Sequence, residues 1–315
     1  MKEKDKFDFY SSTSIKSYNL NESIRYQLKA LDSLDAYTRK HSENVANIAC
    51  RLCENLHLSK DFTVYTTTCA YLHDIGKMFI PPSILQKPSR LTDEEFEIMK
   101  THTTIGYKMC MNDPKLRPYA VGPLYHHEAL NGTGYPNGVR KEDIPFEAQI
   151  LRVADEFEAI TAKRQYKSHI GIVDALNLMI ENARPTPSKT LGESIKNIGN
   201  TKYGKINPKI LKALFKVVIE DTEYEIVSKS EYLDFLKDEI KRLNSAMKYY
   251  KRMEVAVTDA QREYHREEIK CFLKAHEEPE KLPQMIEEFK ETYDARQKDI
   301  KRLYDEVKQI KHLKI

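Results

Sequence analysis

The chain has few of the features that cross-link a small secreted domain through disulfides or anchor a protein in a bilayer. Its five cysteines are odd in number and scattered over 315 residues, which argues against a disulfide framework and favours small buried thiols. No stretch approaches the roughly 20 apolar residues of a membrane span. The first residues, MKEKDKFDFY, do not resemble a signal peptide. We therefore expect a cytoplasmic protein with no membrane span.

A large excess of charge of one sign is also missing. The formal net charge is +3, although 31% of the residues are charged. A near-neutral balance gives no general reason to expect DNA binding, but a local basic cleft for a small anionic ligand remains compatible with it. With 40% hydrophobic residues, the composition is typical of a soluble protein rich in exposed helix.

Strand patterns of any length are absent, and the sequence predicts an all-α fold. Apolar residues recur at three- and four-residue intervals, and Thr92 with Glu95 forms the sequence pattern of a capping box. In chain order, the predicted helices run from Asn21 past Leu34, from near His41 past Leu52, from Asp61 to Leu72, from Thr92 past His102, from Phe146 to Ala162, from Ile170 to Glu181 and from Asn207 to about Glu220.

The character of the sequence changes at Ser228. Polar helix-forming sequence runs to about Ala275, breaks at EEPEKLP and resumes at Leu282. The final segment has an apolar period near 3.5, which is typical of a coiled coil. We predict two long helices that fold back as an antiparallel hairpin, and a single helix docked on the core is the alternative. The apolar positions of the final segment are Leu282, Ile286, Phe289, Tyr293, Ile300, Leu303, Val307 and Ile310.

These patterns divide the chain into three parts. Residues 1–21 are expected to be a flexible arm, and no sensory input domain is expected before residue 22. Residues 22–225 are expected to form a helical bundle, with an irregular insert containing Pro, Ser and Gly at about 184–203. Residues 226–315 are expected to form the hairpin and to serve as an interaction module.

Residues 125–138, YHHEALNGTGYPNG, are the most informative stretch for function. Two adjacent histidines precede a loop with three glycines and a proline. Neutral imidazoles are common metal ligands, and glycines allow positive φ or close approach of the backbone. The stretch therefore indicates a metal centre with a substrate wall beside it.

Further candidate ligands complete such a centre. We expect each of them at a helix end or beside a loop, where a side chain can reach a cleft. The adjacent pair His73-Asp74 suits two metal ions, since an imidazole can bind one ion while a carboxylate bridges both. Nitrogen and oxygen ligands without thiolates favour Fe or Mn, and Zn would also suit the histidines. The candidate ligands are His41, His73, Asp74, His102, His126, His127 and Asp155.

Five segments carry a family resemblance. They are HSENVA, YLHDIGKMFIP, LTDEEFEIMKTH, HHEALNGTGYPNG and IPFEAQILRVADEFEAIT. In order and spacing, from about residue 22 to 220, they resemble the HD-GYP branch of the HD hydrolases. The resemblance implies an all-helical catalytic domain over residues 22–225, a bacterial signalling phosphodiesterase that hydrolyses cyclic di-GMP. Its product would be the linear dinucleotide and, after a second cut, GMP.

The same resemblance assigns roles to individual residues. It implies that the seven candidate ligands bind two divalent ions, with Asp74 as the bridge, and that Lys77 lies near the reacting phosphate. It identifies Gly134, Tyr135 and Pro136 as the substrate-side loop. Arg164 and Lys167 match basic positions that hold the phosphates of the substrate, although both residue types are also common on solvated surfaces.

The chain departs from the family pattern at a few positions. Tyr37 stands where some members have a glutamate that recruits a third metal, so we expect two ions. Asn131 replaces the usual aspartate of the loop, and Glu158 replaces an aspartate with a longer side chain that can still reach the site. The insert at about 184–203 is longer than the usual connection.

Two other functions remain open. The site could hydrolyse another cyclic or linear nucleotide, because HD hydrolases vary widely in substrate. Alternatively, the chain could be a non-hydrolytic nucleotide sensor or scaffold that signals through its C-terminal helices. Under each reading we expect a homodimer or a protein partner through those helices.

Overall fold

A computed structural model of the chain describes residues 36–162, 170–185 and 203–315. Within these ranges the fold is all-helical, as predicted, and strand pairing is limited to an isolated bridge between Asn131 and Arg140. The predicted N-terminal arm, the predicted helix at Asn21 and most of the insert lie outside the described residues. Arg164 and Lys167 also lie outside them.

The described helices vary from one turn to 47 residues. None of those in the described ranges combines the length and apolarity needed to cross a bilayer. Short 3₁₀ segments cover Ile75–Phe79, Arg117–Tyr119, Lys141–Asp143 and Pro279–Lys281. The α-helices are α1 (Ala36–Asn55), α2 (Lys60–Leu72), α3 (Pro82–Leu85), α4 (Asp93–Asn112), α5 (Val121–Tyr125), α6 (Phe146–Thr161), α7 (Ile172–Ala183), α8 (Pro208–Glu254), α9 (Asp259–Lys270) and α10 (Leu282–His312).

Local capping explains where several helices begin. At α4, the Thr92 side chain accepts a hydrogen bond from the Glu95 N–H, and the Glu95 carboxylate accepts one from the Thr92 N–H. The predicted capping box is therefore confirmed. At α8, the Asn207 side chain accepts from the N–H of Lys209, which satisfies one of the free donors of the first turn.

Two compact units are present. The second unit is Ile219–His312, and the other described residues group separately. In the first unit, α1 packs against α2 and α6. Their inward faces carry small and branched apolar residues, including Ala49, Leu72 and Leu151, each fully buried. Four of the seven predicted ligands lie on these helices or directly after α2: His41, His73, Asp74 and Asp155.

The start of α1 differs from the expected position. A helix was expected to begin near His41, but α1 is already helical at Ala36, the first residue that the structure describes. The positions Thr38, His41 and Ser42 are buried on the inward face of α1, in register with Val45. Because polar side chains occupy these inward positions, the apolar pattern begins only at Val45, after the helix itself has begun.

The expectation that every ligand lies at a helix end is wrong for three of them. His41, His102 and Asp155 lie within α1, α4 and α6, each more than one turn from the described ends of its helix. Their side chains are buried. A helix that crosses the bundle interior presents a mid-helix side chain to the centre as effectively as a loop does.

The last helix of the predicted bundle does not end at Glu220. Instead α8 runs without a break from Pro208 to Glu254. No proline or glycine interrupts the sequence between Glu220 and Ser228, so nothing there ends the helix. A second difference follows Glu254. Helical sequence was expected to continue to about Ala275, but α8 ends at Glu254, and a capping box between Thr258 and Gln261 begins a separate helix, α9.

The second unit contains the predicted antiparallel hairpin. Ion pairs join Glu223 to Lys311 and Lys229 to Asp299, so sequence positions increase along α8 as they decrease along α10. Six of the eight predicted apolar positions of the final segment are buried, and Phe289 and Tyr293 are partly buried. All of the buried ones except Ile310 pack against α8 and α9 within the same chain, in two clusters around Ile226 and Leu243.

Candidate metal centre

All seven predicted ligand side chains come together in the first unit. They arrive from α1, from the residues that follow α2, from α4, from the turn after α5 and from α6. Each residue offers one ligand atom, and within each of two groups these atoms lie within 4.8 Å of one another. The first group is His41, His73 and Asp155, and the second is Asp74, His102, His126 and His127.

Asp74 lies between the two groups. Its Oδ2 is 3.4 Å from His41 Nε2 and 3.2 Å from His73 Nε2. Its Oδ1 is 3.4 Å from His102 Nε2 and 3.8 Å from His126 Nε2. One carboxylate therefore presents one oxygen to each histidine pair, which is the arrangement that a bridging ligand requires.

Asp155 also lies between the two groups of ligands. Its Oδ1 is 3.2 Å from His41 Nε2, and its Oδ2 is 3.8 Å from His127 Nδ1. The sequence singled out Asp74 alone as a carboxylate between two sites. In the structure, Asp155 also directs one oxygen to a histidine of each group.

Backbone carbonyls hold three of the histidine rings. His73 Nδ1 lies 2.6 Å from Ala70 O, and His102 Nδ1 lies 2.6 Å from Met99 O. His126 Nδ1 lies 3.0 Å from the carbonyl oxygen of Gly122. Each carbonyl accepts a hydrogen bond from Nδ1–H, so in the neutral ring the proton stays on Nδ1, and Nε2 faces the centre as a ligand atom.

A carboxylate holds the fourth ring. His41 Nδ1 lies 2.5 Å from Glu158 Oε2, and the Asn44 side-chain amide donates to Glu158 Oε1 at 2.9 Å. The longer side chain at this position therefore reaches the site, but it lies behind His41. Carboxylate–histidine pairs of this type orient a ligand ring and raise its basicity.

Burial keeps the histidines of the second group neutral. It lowers the pKa of His102 to about 4, with a further contribution from the charge on Lys77. Burial and the neighbouring histidines hold the pKa of His126 and that of His127 well below the usual range. Neutral imidazoles are the form that binds metal, so these rings are ready to bind near pH 7.

Carboxylates dominate the first group. Burial by itself would lower the pKa of His41, but hydrogen bonds to Asp155, Asp74 and Glu158 outweigh it and raise the pKa to about 11. Burial also opposes ionisation of Asp74, yet the neighbouring His73 and the charge of Lys77 hold the pKa of this carboxyl well below its usual range. The buried carboxylates thus stabilise positive charge beside them, whether it is the proton on His41 or a cation.

The predicted catalytic lysine contacts the central carboxylate. Lys77 lies in the 3₁₀ segment Ile75–Phe79, and its Nζ is 2.5 Å from Asp74 Oδ2. Its side chain is 22% exposed, whereas that of Asp74 is 1% exposed. The ammonium group therefore connects the buried centre to the solvent side, where an anionic ligand would arrive.

The glycine loop packs tightly beside the centre. Gly132 and Gly138 have φ values of +77° and +64°, and a Cβ on Gly134 would lie 2.3 Å from the backbone nitrogen of Ala129. Positive φ and close approach were both predicted for these glycines, and both are confirmed. The loop places the Tyr135 ring 4.6 Å from that of His127, centroid to centroid, at an interplanar angle of 31°.

Glu128, which had no predicted role, holds this loop. Its carboxylate accepts hydrogen bonds from the backbone N–H groups of Asn137, Gly138 and Val139 at 2.7, 3.1 and 3.2 Å. A carboxylate directly after a ligand pair and before a glycine loop is a sequence signal from which this role could have been predicted. Asn44, behind Glu158, had no comparable signal.

Asn131, at the position where aspartate is usual in the family pattern, stabilises a turn through its side chain. Its side-chain oxygen accepts from the backbone N–H of Thr133 at 3.1 Å and from the Thr133 hydroxyl at 2.7 Å. An aspartate oxygen could accept the same two bonds, so the turn does not depend on a charge at this position. For Tyr37, the structure describes the backbone alone.

One buried atom tests whether these residues suit a metal. Asp74 Oδ1 has no hydrogen-bond partner, although it is enclosed by histidine nitrogens. An unpaired carboxylate oxygen in the interior is costly unless a cation binds it. Together with Nε2 atoms aimed at the same space, it gives a donor set of imidazole nitrogens and carboxylate oxygens that fits first-row divalent metals.

Comparison with known proteins identifies the family of the chain. A model of the HD domain matches residues 26–186, just over half of the chain. A cyclic di-GMP phosphodiesterase of Thermotoga maritima is 36% identical over 202 residues, which cover 62% of this chain and 50% of the relative. The cyclic di-GMP phosphodiesterase response regulator RpfG of Xanthomonas campestris is 38% identical over 149 residues, covering 46% and 39%.

A relative with a different printed substrate also matches. The 3'3'-cGAMP-specific phosphodiesterase 3 of Vibrio cholerae is 34% identical over 154 residues, which cover 49% of this chain and 34% of the relative. In all three cases the chain spans half of the relative's length or less.

Proposed function

This chain belongs to the HD domain family, and we propose that it hydrolyses the phosphodiester bonds of cyclic di-GMP in a metal-dependent reaction. The observation that carries the proposal is the position of Asp74, whose two oxygens face two separate groups of imidazole nitrogens. The names of the Thermotoga and Xanthomonas relatives support cyclic di-GMP as the substrate.

The proposed cofactor is a pair of divalent ions, with Fe or Mn favoured by the nitrogen and oxygen ligands. One ion would be held by the first group and the other by the second, with Asp74 shared. Bound divalent ions lower the pKa of water and neutralise charge on phosphate oxygens. The backbone carbonyls behind the histidines and Glu158 behind His41 keep these ligands in one orientation.

Other residues of the chain would receive the substrate. Lys77, beside Asp74, would donate to a phosphate oxygen as negative charge accumulates there. The loop with Gly134, Tyr135 and Pro136 would form one wall, held in place by Glu128. Arg164 and Lys167 are the proposed partners of the substrate's phosphates.

Cyclic GMP-AMP is a second candidate substrate. The Vibrio cholerae relative, which covers about the same share of this chain as the Xanthomonas relative, is named for 3'3'-cGAMP. A role as a nucleotide sensor without hydrolysis is less well supported, because all seven candidate ligands converge. A protein that only bound the nucleotide would not need a complete set of metal ligands.

We also propose that Ile219–His312 is an interaction module that joins two copies or recruits a protein partner. The α8–α10 seam is filled within one chain, so association would use the outer faces instead. Tyr224 and Phe235 on α8 are 68% and 48% exposed. A Phe235→Glu variant that leaves the mass in solution unchanged, by light scattering, would argue against this face.

The proposed compartment is the cytoplasm.

The hydrolase proposal is tested by turnover of cyclic di-GMP with metal content measured on the same anaerobically purified sample. We expect about two Fe or Mn per chain and formation of the linear dinucleotide. Asp74→Ala should abolish turnover and lower the metal content, whereas Asp305→Ala, at an exposed carboxylate, should change neither. Full turnover by Asp74→Ala would overturn the proposal. Metal binding with cleavage of cyclic GMP-AMP alone would select the second candidate.

A further inference from the structure

Phe96 is an exposed aromatic residue on α4, the helix that also carries His102. It is 45% exposed. Its ring contacts that of Tyr135 edge to face, with centroids 6.1 Å apart and an interplanar angle of 82°. Since Tyr135 stacks on His127, three rings form a continuous series that begins in the metal centre and ends in solvent.

Lys100 supplies a cation to the same surface. Its Nζ is 5.5 Å from the centroid of Phe96 and 5.8 Å from that of Tyr135. The ammonium group also pairs with Glu97 Oε1 at 2.6 Å, but the Glu97 side chain is 69% exposed. An exposed ion pair of this type is weak and exchanges readily for another acceptor.

We propose that Phe96, Tyr135 and Lys100 form a subsite for a guanine base of the substrate, which we call the base subsite. This inference rests on the proposed function, since it places a base beside a phosphate bound at the metal centre. The partly exposed rings offer an apolar stacking face, and base–aromatic stacking is a general mode of binding unpaired bases. The ring series connects this face to His127 without a gap.

Lys100 gives the base subsite a preference between purines. Guanine presents two acceptors, O6 and N7, on one edge, and lysine donates to both. Adenine presents N7 beside an amino group, which is itself a donor and faces the ammonium group unfavourably. Stacking on Phe96 is available to either purine. The base subsite therefore favours guanine through Lys100 and retains either base through Phe96.

The test is calorimetric titration of the metal-loaded full chain with GMP and with AMP, which are not phosphodiesters. Wild type should bind GMP more tightly than AMP. Phe96→Ala should weaken GMP binding about tenfold through lost stacking, and Phe96→Tyr should restore it. Lys100→Gln should bring the GMP and AMP affinities close together. Ile98→Ala, on the same helix and 41% exposed, is the matched control and should bind like wild type.

Metal content is measured on every variant, so that a lost ligand group is not mistaken for a lost base contact. The inference is overturned if wild type does not bind GMP at millimolar concentration, if Phe96→Ala binds GMP like wild type, or if Lys100→Gln keeps the wild-type preference. Hydrolysis of cyclic di-GMP is measured separately. If hydrolysis is absent while Phe96→Ala still weakens GMP binding, the hydrolase proposal fails and the base subsite stands.

Discussion

In the first unit, ionisable side chains converge in the interior, and His41, His73 and Asp74 are at most 4% exposed. In Ile219–His312, by contrast, charged residues mostly follow the exposed faces of long helices, and the side chains of Glu223 and Lys311 are each about half exposed. Both units are helical, but they use charge for different purposes.

The contrast is clearest in how carboxylates are satisfied. In the first unit Asp74 meets several histidines, and its buried Oδ1 has no hydrogen-bond partner. In the second unit Glu239 and Glu277 both bind Arg242, so that opposite charges meet directly. The first pattern is costly for a fold without a cation, whereas the second supports the fold itself. Predicted effects of substitutions should differ accordingly.

The largest expected effect on stability is at the apolar seam of the second unit. Ile300 is 8% exposed and packs in a cluster with Ile226 and Leu303. Ile300→Asp places a carboxylate there, and we expect it to destabilise this unit by about 3–5 kcal/mol. Hydrogen exchange of peptides from α8 and α10 measures the change, and Ile300→Val should cost only about 1 kcal/mol.

This result also tests whether the two units are energetically separate. Peptides from α1, α2 and α6 should keep their protection in Ile300→Asp. If they lose it together with α8 and α10, the units unfold as one, and the comparison between them would not hold for stability.

His102 by itself is expected to give the first unit, and not the second, a pH effect of about 2 kcal/mol. The pKa of His102 is about 4 in the fold, below the usual 6.5. Because the unfolded chain then binds more protons between these values, metal-free protein should lose stability as the pH falls from 6.5 to 5. Hydrogen exchange at the two pH values measures this. In His102→Gln the dependence should be smaller, and peptides of the second unit should show none of it.

A smaller effect is expected at the carboxylate behind His41. Glu158→Gln keeps the shape of the side chain but removes the charge that holds the ring. We expect metal affinity to fall at least about tenfold, or ~1.4 kcal/mol. Competition with a chelator measures it without reference to turnover. Glu147→Gln, on the same helix but outside the ligand groups, is the control, and an equal loss in both variants would contradict a specific role for Glu158.

The smallest effect is expected for an exposed carboxylate of the second unit. Glu223 pairs with Lys311, and more than half of each side chain is exposed. We expect Glu223→Ala to change stability by less than about 1 kcal/mol and to leave metal content unchanged. Urea unfolding provides the measurement. A loss comparable to that of Ile300→Asp would show that surface charge pairs specify the hairpin.

Much of the site was predictable, because its residue types are unusual in combination. Adjacent pairs such as His73-Asp74 and His126-His127 marked the ligands, and the glycines marked the loop. The position of Glu158 was noted, but its contact with His41 could not be derived, since 117 residues separate the two. For Arg164 and Lys167, the predicted phosphate contacts remain predictions.

What the sequence determined by itself is local. The capping box at Thr92 and the apolar period of α10 depend on residues three to seven positions apart, so a short stretch of sequence is enough to predict them. Tertiary structure alone decided which oxygen of Asp74 faces which histidines, and that His41 lies inside a helix. These outcomes depend on where separate helices meet, and polar residues that face inward for a metal centre lack the apolar pattern by which buried positions are recognised.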